Sequence, residues 1–364
     1  MRVLISGGGT GGHLFPALAI ANKLKEENPE TEILFVGAKG KIEMERVPKE
    51  GYPIRGLWIS GVDRKLSSPK NLLFPLKLLT SLFKSFWIVL RFRPQVGIGV
   101  GGFASGPALF VARLMGTPLL LQEQNSYPGI TNKLLGKKAD RICVAYDNMQ
   151  RFFGSTSLVQ TGNPVRALLQ KPFSDKQKAA AHFGLDASKP VVFVFGGSLG
   201  ARSINNALMA SEEFFKDNKD IQLIWQTGKF SYEQCKSSAL AALENVYPMA
   251  FIDRMDLAYC LADVVVGRAG ALTISELCLQ KKAAILVPLP SAAEDHQTKN
   301  AMALVEKGAA LLVKDKTLKE DLVSAIDGLL SNADKRREME EQIGRLAKAD
   351  AVSLITKEIN DLAK

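Results

Sequence analysis

The chain has 364 residues, 46% of them hydrophobic, and a formal net charge of +10. This length predicts two domains, and the apolar fraction excludes an intrinsically disordered chain. The positive charge favours an anionic partner, but the sequence has no zinc-finger, helix-turn-helix or aromatic RNA-binding signature, so we expect no nucleic-acid partner.

Cysteine usage and the N-terminal residues bear on the compartment. The four cysteines are scattered, without a C-x-x-C pair, which is typical of a reducing compartment and predicts no structural zinc. Only Val3–Ile5 precede the first glycines, and this run is too short for the apolar core of a signal peptide. We therefore expect a cytoplasmic protein.

Short apolar runs alternate with helical segments along the first half of the chain. The predicted strands there are Arg2–Ser6, Ile33–Val36, Val96–Val100, Pro118–Leu121 and Arg141–Ala145. The predicted helices are Leu14–Glu27, Lys41–Val47, Pro75–Phe92, Pro107–Met115 and Ile130–Leu135. Such alternation predicts a parallel sheet with helices on both faces.

The same alternation resumes in the second half. The predicted strands are Val191–Phe195, Ile221–Trp225, Val264–Val266 and Ala284–Val287. The predicted helices are Ala179–Gly184, Ser203–Phe215, Leu272–Leu279, Gln297–Lys307, Leu318–Leu330 and Asp350–Lys364. Because residues 161–172 are rich in helix and strand breakers, we place the linker there. We expect one domain at 1–163 plus about 347–364, and the other at 164–346.

Two glycine-rich turns follow apolar strands. Arg2–Ser6 leads into Gly7–Gly12, and Val191–Phe195 leads into Gly196–Gly200. A strand that ends in glycines and opens a helix presents backbone N–H groups and a positive helix end, which suit a diphosphate. Glycines that only permit a tight bend are the structural alternative. Two such turns half a chain apart predict two nucleotide-fold domains that face one cleft.

The glycine turns do not match several familiar motifs. Gly7, Gly9 and Gly12 fit the G-x-G-x-x-G motif of dinucleotide-binding proteins. Dehydrogenases also bind the ribose with an acidic residue at the end of the second strand, and neither half of this chain has one, which argues against an NAD-dependent dehydrogenase. A P-loop lysine and a G-x-S-x-G elbow are both missing from these turns. The sequence also has no D-x-D pair and no histidine pair at ligand spacing, so we predict no bound metal.

A second group of polar residues follows the strand Val264–Val266. The small residues Gly267–Gly270 open a helix in which Thr273 and Ser275 could cap the first-turn N–H groups. Glu276 lies in the first two turns, where it could accept hydrogen bonds from a ribose or simply stabilise the helix dipole. The polar loop 288–300 follows the next strand, at the edge where open α/β sheets bind ligands.

Several of these motifs together resemble one enzyme family. They are Gly8–His13 with Pro16, Glu123–Asn125, Gly162–Arg166, Gly197–Arg202, Gly270–Glu276 and His296–Gln297. In this order, and over nearly the whole chain, they are similar to the MurG family within glycosyltransferase family 28. The resemblance implies a GT-B fold, in which two Rossmann-like domains with parallel sheets face a deep cleft.

The resemblance also implies a reaction. N-acetylglucosamine would pass from UDP-GlcNAc to the C4 hydroxyl of lipid I, undecaprenyl-pyrophosphoryl-MurNAc-pentapeptide, with inversion to a β1,4 link that makes lipid II for peptidoglycan. The enzyme would need no cofactor and would bind the cytoplasmic face of the inner membrane, with other cell-wall synthesis proteins as further partners. The alternatives are another UDP-GlcNAc-dependent GT-B enzyme, either a soluble-acceptor transferase or an epimerase, and a nucleotide-sugar-binding scaffold without turnover.

Site residues follow from the resemblance by motif. Ser198 would hold the donor phosphates, Glu276 the ribose, and the backbone of Ile252 the uracil. The other residues implied in the donor pocket are Arg166, Ala271, Leu272, Thr273, Ile274, Ser275 and Gln297. The residues implied near the sugar and acceptor are Thr10, Gly11, Gly12 and Asn125. Gln122 stands where some relatives have a histidine, so a base is not expected at that position.

Inverting transfer needs a general base and a stabilised leaving group. His13 begins a helix beside the first glycine turn, and a helix N-terminus keeps a histidine neutral and able to accept a proton. His13 could instead only order the loop, and an acid such as Glu123 could serve as the base. Without a metal, helix N-termini and a cation, Arg202 or Arg268, would stabilise the departing UDP.

The segment Pro75–Phe92 combines a broad apolar arc with Lys77, Lys84 and Arg91 on one helix face. Two lysines at the bilayer centre would each cost about 2.5–3.5 kcal/mol, so we expect no spanning helix. The helix could pack entirely in the core or lie partly in an anionic membrane surface. In the second case Lys77 and Lys84 would attract head groups. The side chains expected to contact lipid are then Leu79, Phe83 and Phe86.

Overall fold

The computed structural model describes residues 1–61, 72–154, 157–197 and 200–364. Contacts divide these residues into two compact units, Met1–Arg166 with Asp350–Lys364, and Ala167–Ala349. Each unit contains one sheet of parallel strands with helices packed against it.

The sheet of the first unit has seven strands in the order β3-β2-β1-β4-β5-β6-β7. These are β1 (Arg2–Ser6), β2 (Glu32–Ala38), β3 (Ile54–Leu57), β4 (Val96–Gly99), β5 (Leu119–Glu123), β6 (Arg141–Val144) and β7 (Leu158–Gln160). Its helices are α1 (Gly11–Glu27), α2 (Glu43–Lys49), α3 (Phe74–Phe92), α4 (Ser105–Leu114), α5 (Ile130–Gly136) and α6 (Gln150–Phe153). The inner strands are apolar along their length because helices cover both faces of the sheet.

The second unit has a six-stranded sheet in the order β10-β9-β8-β11-β12-β13. Its strands are β8 (Val191–Phe195), β9 (Gln222–Gln226), β10 (Val246–Met249), β11 (Val264–Gly267), β12 (Ala284–Leu286) and β13 (Leu311–Leu312). Its helices are α7 (Lys176–Phe183), α8 (Arg202–Met209), α9 (Glu212–Asp217), α10 (Tyr232–Lys236), α11 (Met255–Leu261), α12 (Ala271–Gln280), α13 (His296–Val305), α14 (Leu318–Leu330) and α15 (Ala333–Arg345).

The last helix, α16 (Ala351–Leu362), returns to the first unit. It packs along α1, where the Thr356 hydroxyl donates to a Glu27 carboxylate oxygen at 2.9 Å. Glu358 pairs with Arg141 of β6 at 3.0 Å. The C-terminal helix is therefore part of the first unit. Within the described residues, no helix is both long and apolar enough to cross a bilayer.

Strand order determines where each unit can bind a ligand. In the first sheet β1 lies between β2 and β4, and in the second β8 lies between β9 and β11. The helices that follow the neighbouring strands β1 and β4 pack in the two core clusters on opposite faces of the first sheet. The right-handed crossovers of parallel strands put the helices after β8 and β11 on opposite faces as well. Ligands of open parallel sheets bind at this switch point, beyond the carboxyl ends of the strands.

All nine predicted strands are present, with ends within two residues of those expected. The strands that the sequence did not predict are β3, β7, β10 and β13, which are the edge strands of the two sheets. One helix prediction was wrong, because Ser203–Phe215 is interrupted and forms α8 and α9. Four further helices, α6, α10, α11 and α15, were not predicted.

Candidate functional site

Two glycine loops meet at the switch point of the first unit. One follows β1, and the other, which contains Gly101 and Gly102, follows β4. A Cβ atom on Gly102 would lie 2.4 Å from the carbonyl oxygen of Gly8, and both residues have a positive φ. Only glycine allows the two backbones to approach this closely. The second loop was not singled out from the sequence.

His13 lies in the first turn of α1, against both loops. Its Nδ1 atom is 3.2 Å from the Gly8 carbonyl oxygen and 3.3 Å from the Thr10 hydroxyl. A Cβ atom on Gly101 would lie 2.9 Å from its Nε2 atom, so the half-buried ring packs on the backbone of the second loop. A carbonyl oxygen can only accept a hydrogen bond, so a proton on Nδ1 and a lone pair on Nε2 satisfy this geometry.

The residues next to His13 are open to solvent at the N-terminus of α1. Thr10 is the N-cap in an extended conformation, and its side chain makes no capping hydrogen bond. Thr10 and Gly12 are exposed, and Gly11 is half-buried. The structure therefore groups Thr10, Gly11, Gly12 and His13 around one positive helix end, which can attract an anion.

Asn125 lies just beyond β5 and is fixed by Glu123. The buried Glu123 carboxylate accepts hydrogen bonds from the backbone and side chain of Asn125 at 3.0 and 3.1 Å, and from Asn132 at 2.9 Å. Burial raises the pKa of Glu123, and these hydrogen bonds oppose the rise. Because both oxygens hold the loop, Glu123 is better suited to position Asn125 than to take a proton from substrate.

Gln122 belongs to a buried network of amide side chains. It is fully buried, and its Nε2 atom donates to Asn163 at 3.0 Å. Asn163 in turn donates to the backbone carbonyl of Gln124 at 3.0 Å. Gln122 therefore links β5 to the segment after β7.

The second unit repeats the glycine turn after β8. Gly197 and Gly200 both have a positive φ, and a Cβ atom on Gly200 would lie 2.1 Å from the carbonyl oxygen of Thr227. The turn therefore packs on the loop that follows β9. Ser198, expected to hold the donor phosphates, lies outside the described residues.

Gln226, at the end of β9, joins this turn to the segment expected to bind uracil. Its Nε2 atom donates to the Gly197 carbonyl at 3.1 Å, and its Oε1 atom accepts from the Ile252 N–H at 2.9 Å. The Ile252 side chain is buried. The Ile252 N–H is already bonded to Gln226. The backbone of Ile252 would therefore contact uracil through its carbonyl oxygen.

Helix α12 begins directly after the Gly267–Gly270 turn. Its N-cap is Gly270, which has no side chain to cap the first turn. The prediction that Ser275 caps this turn was wrong, because its hydroxyl donates to the Ala271 carbonyl at 3.0 Å. The side chains divide between the interior and the surface: the buried ones are Ala271, Ile274 and Glu276, and the half-buried ones are Leu272, Thr273 and Ser275.

Glu276 is held by a tyrosine from the neighbouring helix. Its Oε2 atom accepts from the hydroxyl of Tyr259 on α11 at 3.2 Å, and the carboxylate residue is only 8% exposed. Tyr259 is fully buried, with its ring packed edge-on against Phe193 and Phe195 of β8. The aromatic cluster fixes Tyr259, and Tyr259 orients one oxygen of Glu276.

The predicted cations have different surroundings. Arg268 pairs with Asp315 at 2.5 Å and donates to the Ser203 hydroxyl at 2.7 Å, so its charge is already neutralised. It therefore fixes the start of α8 and is a poor choice for stabilising UDP. Arg202 is the exposed first residue of α8.

Two other predicted donor residues lie in different units. Gln297, on α13, accepts a hydrogen bond from the Leu289 N–H at 2.9 Å and so shapes the loop after β12. Arg166 belongs to the first unit, with its guanidinium 5.8 Å from the ring centroid of Phe15 on α1. In the described part of the chain, no group of three His, Cys, Asp or Glu side chains could hold a metal ion.

Comparison with known proteins identifies the family. Residues 3–144 match the glycosyltransferase family 28 N-terminal domain, and residues 191–355 match the family 28 C-terminal domain. The chain belongs to glycosyltransferase family 28. The resemblance, the two-domain GT-B fold and the enzyme class that were expected from the sequence are thereby confirmed.

The matches to family 28 extend along the whole chain. A Bacteroides fragilis protein named UDP-N-acetylglucosamine--N-acetylmuramyl-(pentapeptide) pyrophosphoryl-undecaprenol N-acetylglucosamine transferase is 50% identical over 100% of this chain and 96% of the relative. A Flavobacterium psychrophilum protein with the same name is 48% identical over 100% and 98%. The crystal structure of Acinetobacter baumannii MurG has 29% identity and a TM-score of 0.79, and the match covers 99% of both chains.

Proposed function

We propose that this family 28 enzyme transfers N-acetylglucosamine from UDP-GlcNAc to the C4 hydroxyl of undecaprenyl-pyrophosphoryl-MurNAc-pentapeptide, with inversion to a β1,4 link. The observation that carries the proposal is the 50% identity, over the full chain, to transferases named for this donor and acceptor. The two switch-point sites support it, since each offers a helix N-terminus to an anion.

We assign the donor to the second unit. Glu276 would accept hydrogen bonds from the ribose hydroxyls, and the Ile252 carbonyl would meet the uracil ring. The first turn of α12, which has Gly270 as its N-cap, and the glycine turn after β8 would stabilise the diphosphate through backbone N–H groups. The remaining donor contacts would come from Ser198, Arg166, Gln297, Leu272, Thr273 and Ser275, with Ala271 and Ile274 contributing backbone.

We assign the acceptor to the first unit, with His13 as the general base. The lone pair on Nε2 would take the proton of the C4 hydroxyl as that oxygen attacks the anomeric carbon and the bond to UDP breaks. The N-termini of α1 and α4, which follow the two glycine loops, would attract the acceptor diphosphate. Asn125, fixed by Glu123, would orient the sugar.

A transfer assay tests this proposal. With radiolabelled UDP-GlcNAc and a short-chain lipid I analogue, we expect labelled product and UDP release that depends on the acceptor, at the same rate in EDTA. An epimerase would act without acceptor, and a binding scaffold would give no product even in a single turnover. Loss of activity in EDTA, restored by Mg²⁺ or Mn²⁺, would contradict the proposed leaving-group stabilisation by backbone and helix ends.

We also propose that α3 docks the first unit on an anionic membrane surface. Its fully buried residues are only Ser81, Ser85 and Val89. Its exposed apolar side chains include Leu79 and Phe83, which are 65% and 66% exposed. The others on this face are Leu76, Phe86, Trp87 and Leu90. An apolar face this broad is typical of helices that lie in a membrane interface.

The two lysines of α3 do not fit the head-group role expected from the sequence. Lys84 donates to the Gly56 carbonyl at 2.7 Å, and its burial, with Lys39 and Arg55 nearby, lowers its pKa. Lys77 donates to the Ser60 hydroxyl at 3.0 Å. Both ammonium groups therefore bind the segment around β3. We assign head-group attraction instead to exposed basic residues near α3, such as Lys138, which follows α5 and lies 5.5 Å from the ring of Phe110 on α4, the helix packed against α3.

We expect a Leu79→Glu/Phe83→Glu variant to bind phosphatidylglycerol vesicles at least tenfold more weakly in flotation, because burying even one such side chain is worth about 1.5–3 kcal/mol and about 1.4 kcal/mol is a factor of ten. The matched control is Phe230→Glu, which changes an 84% exposed phenylalanine in the second unit and should not affect flotation. Both variants should keep their activity on a water-soluble acceptor. Equal flotation of the double variant and the wild type would contradict docking through α3.

A further inference from the structure

The carboxylate of Glu43 is buried beside the first glycine loop. Glu43 begins α2 and has no exposed surface. Its Oε2 atom accepts the N–H of Gly9 at 2.9 Å, and its Oε1 atom accepts the N–H of Ala38 at 3.0 Å. Hydrogen bonds to a charged acceptor are stronger than those between neutral groups. One carboxylate thus ties the loop after β1 to the end of β2.

Two glycines approach this carboxylate closely. A Cβ atom on Gly8 would lie 2.3 Å from the carboxyl carbon of Glu43, and one on Gly37 would lie 2.5 Å from its Cγ atom. Any side chain at either position would displace the carboxylate. The glycines on both strand ends therefore form a close-fitting recess around Glu43.

The loop that Glu43 fixes also carries the acceptor for His13. The Gly8 carbonyl and the Gly9 N–H belong to the same peptide group. The N–H is bonded to Glu43, and the carbonyl oxygen is 3.2 Å from Nδ1 of His13. In a neutral histidine one ring nitrogen carries a proton, and the hydrogen bonds of the ring decide which one. A Gly8 carbonyl held in place therefore selects the Nδ1–H form, which presents the Nε2 lone pair.

We propose that Glu43 is a positioning residue of the transfer reaction. By fixing the Gly8–Gly9 peptide it holds His13 in the Nδ1–H tautomer, which is the form that can accept the acceptor's proton at Nε2. This inference rests on the proposed role of His13 as the base, but its structural part, the coupling of Glu43 to the His13 tautomer, can be measured without turnover.

The test is ¹⁵N NMR of the histidine imidazoles in the full-length protein. The chain has only three histidines, so His13 is assigned by its loss in His13→Ala. In the wild type above its titration, the unprotonated nitrogen of His13 should be Nε2. In Glu43→Gln an amide NH₂ replaces one oxygen and faces an N–H donor, so the loop should shift and the Nε2–H form should become populated.

Glu45→Gln is the matched control, since Glu45 lies on the same helix, is exposed and pairs with Lys49. It should leave the His13 spectrum and the turnover unchanged. For Glu43→Gln we expect kcat to fall about tenfold, part of the 10²–10⁴-fold contribution of a general base, with the KM for UDP-GlcNAc unchanged. A purely structural role would lower thermal stability without moving the tautomer.

An unchanged His13 tautomer in folded Glu43→Gln would overturn the inference. If that variant does not fold, Gly37→Ala provides the same readout, because the added methyl group must displace Glu43. If His13→Ala keeps its turnover, the base assignment fails, whereas the spectra still decide whether Glu43 controls the tautomer. The two failures are therefore distinguishable.

Discussion

A His13→Ala variant is expected to lose about 10²–10⁴-fold in kcat, the usual contribution of general base catalysis, while binding UDP-GlcNAc as tightly as the wild type. The proposed donor residues other than Arg166 belong to the second unit, whereas His13 belongs to the first. Removing the imidazole should therefore leave the donor site intact. Steady-state kinetics with a short-chain lipid I analogue and calorimetry with UDP-GlcNAc separate the two quantities.

His182→Ala is the control for the loss of a histidine. His182 is exposed on α7 in the second unit, with its ring against Phe183, and has no proposed role. It should keep full activity. If His13→Ala retained near-wild-type turnover, His13 would be removed from the mechanism and would remain only a loop-ordering residue. A parallel loss of donor affinity would indicate that the substitution disturbs more than proton transfer.

The inner strands of both sheets could be predicted from the sequence, and the edge strands could not. Strands such as β1 and β8 are buried on both faces, so they are continuous apolar runs. The edge strand β3 contains Arg55 and Gly56, β10 contains Pro248, and β13 has only two residues. These strands form because a neighbour offers them backbone hydrogen bonds, and that neighbour is not visible in the local sequence.

The same reason explains which site residues could be predicted. The glycine turns and His13 are contiguous in sequence, and their spacing carries the signal. The residues that position the turns and Glu276 bond to partners 17 to 34 residues away: Glu43 and Gln226 hold the glycine turns, and Tyr259 holds Glu276. Only the second glycine loop could have been found, because Gly101 and Gly102 directly follow the predicted strand Val96–Val100.

The wrong side-chain expectations have a shared physical cause. We expected Arg268 to act on a ligand, Ser275 on a helix N-terminus and Lys84 on a membrane. Each is hydrogen-bonded to nearby protein atoms instead. Leaving a buried polar group without a partner costs about 1–3 kcal/mol, so folding satisfies such groups locally wherever an acceptor is in reach. Sequence shows the residue type but not the acceptor.

A Glu276→Ala variant is expected to raise the KM for UDP-GlcNAc by roughly 5–150-fold, which corresponds to the loss of about 1–3 kcal/mol when a buried polar contact is left unpaired. The alternative is that Glu276 only stabilises the dipole of α12. Dipole effects fall off within the first turn, and Glu276 is the sixth residue of that helix. Its contact with Tyr259 instead orients the carboxylate as a fixed acceptor.

The ribose assignment is tested with a donor that lacks the 2′-hydroxyl. If Glu276 binds the ribose, the wild type should discriminate between UDP-GlcNAc and its 2′-deoxyuridine analogue, and Glu276→Ala should discriminate far less. Tyr259→Phe is the matched variant, because it keeps the ring packing on Phe193 and removes only the hydroxyl that holds Oε2, so it should produce a smaller change in the same direction. If Glu276 only stabilised the helix, Glu276→Ala would have a lower melting temperature. Its donor affinity, and the ratio of its affinities for the two donors, would be those of the wild type. Calorimetry showing that pattern would exclude Glu276 from the ribose site.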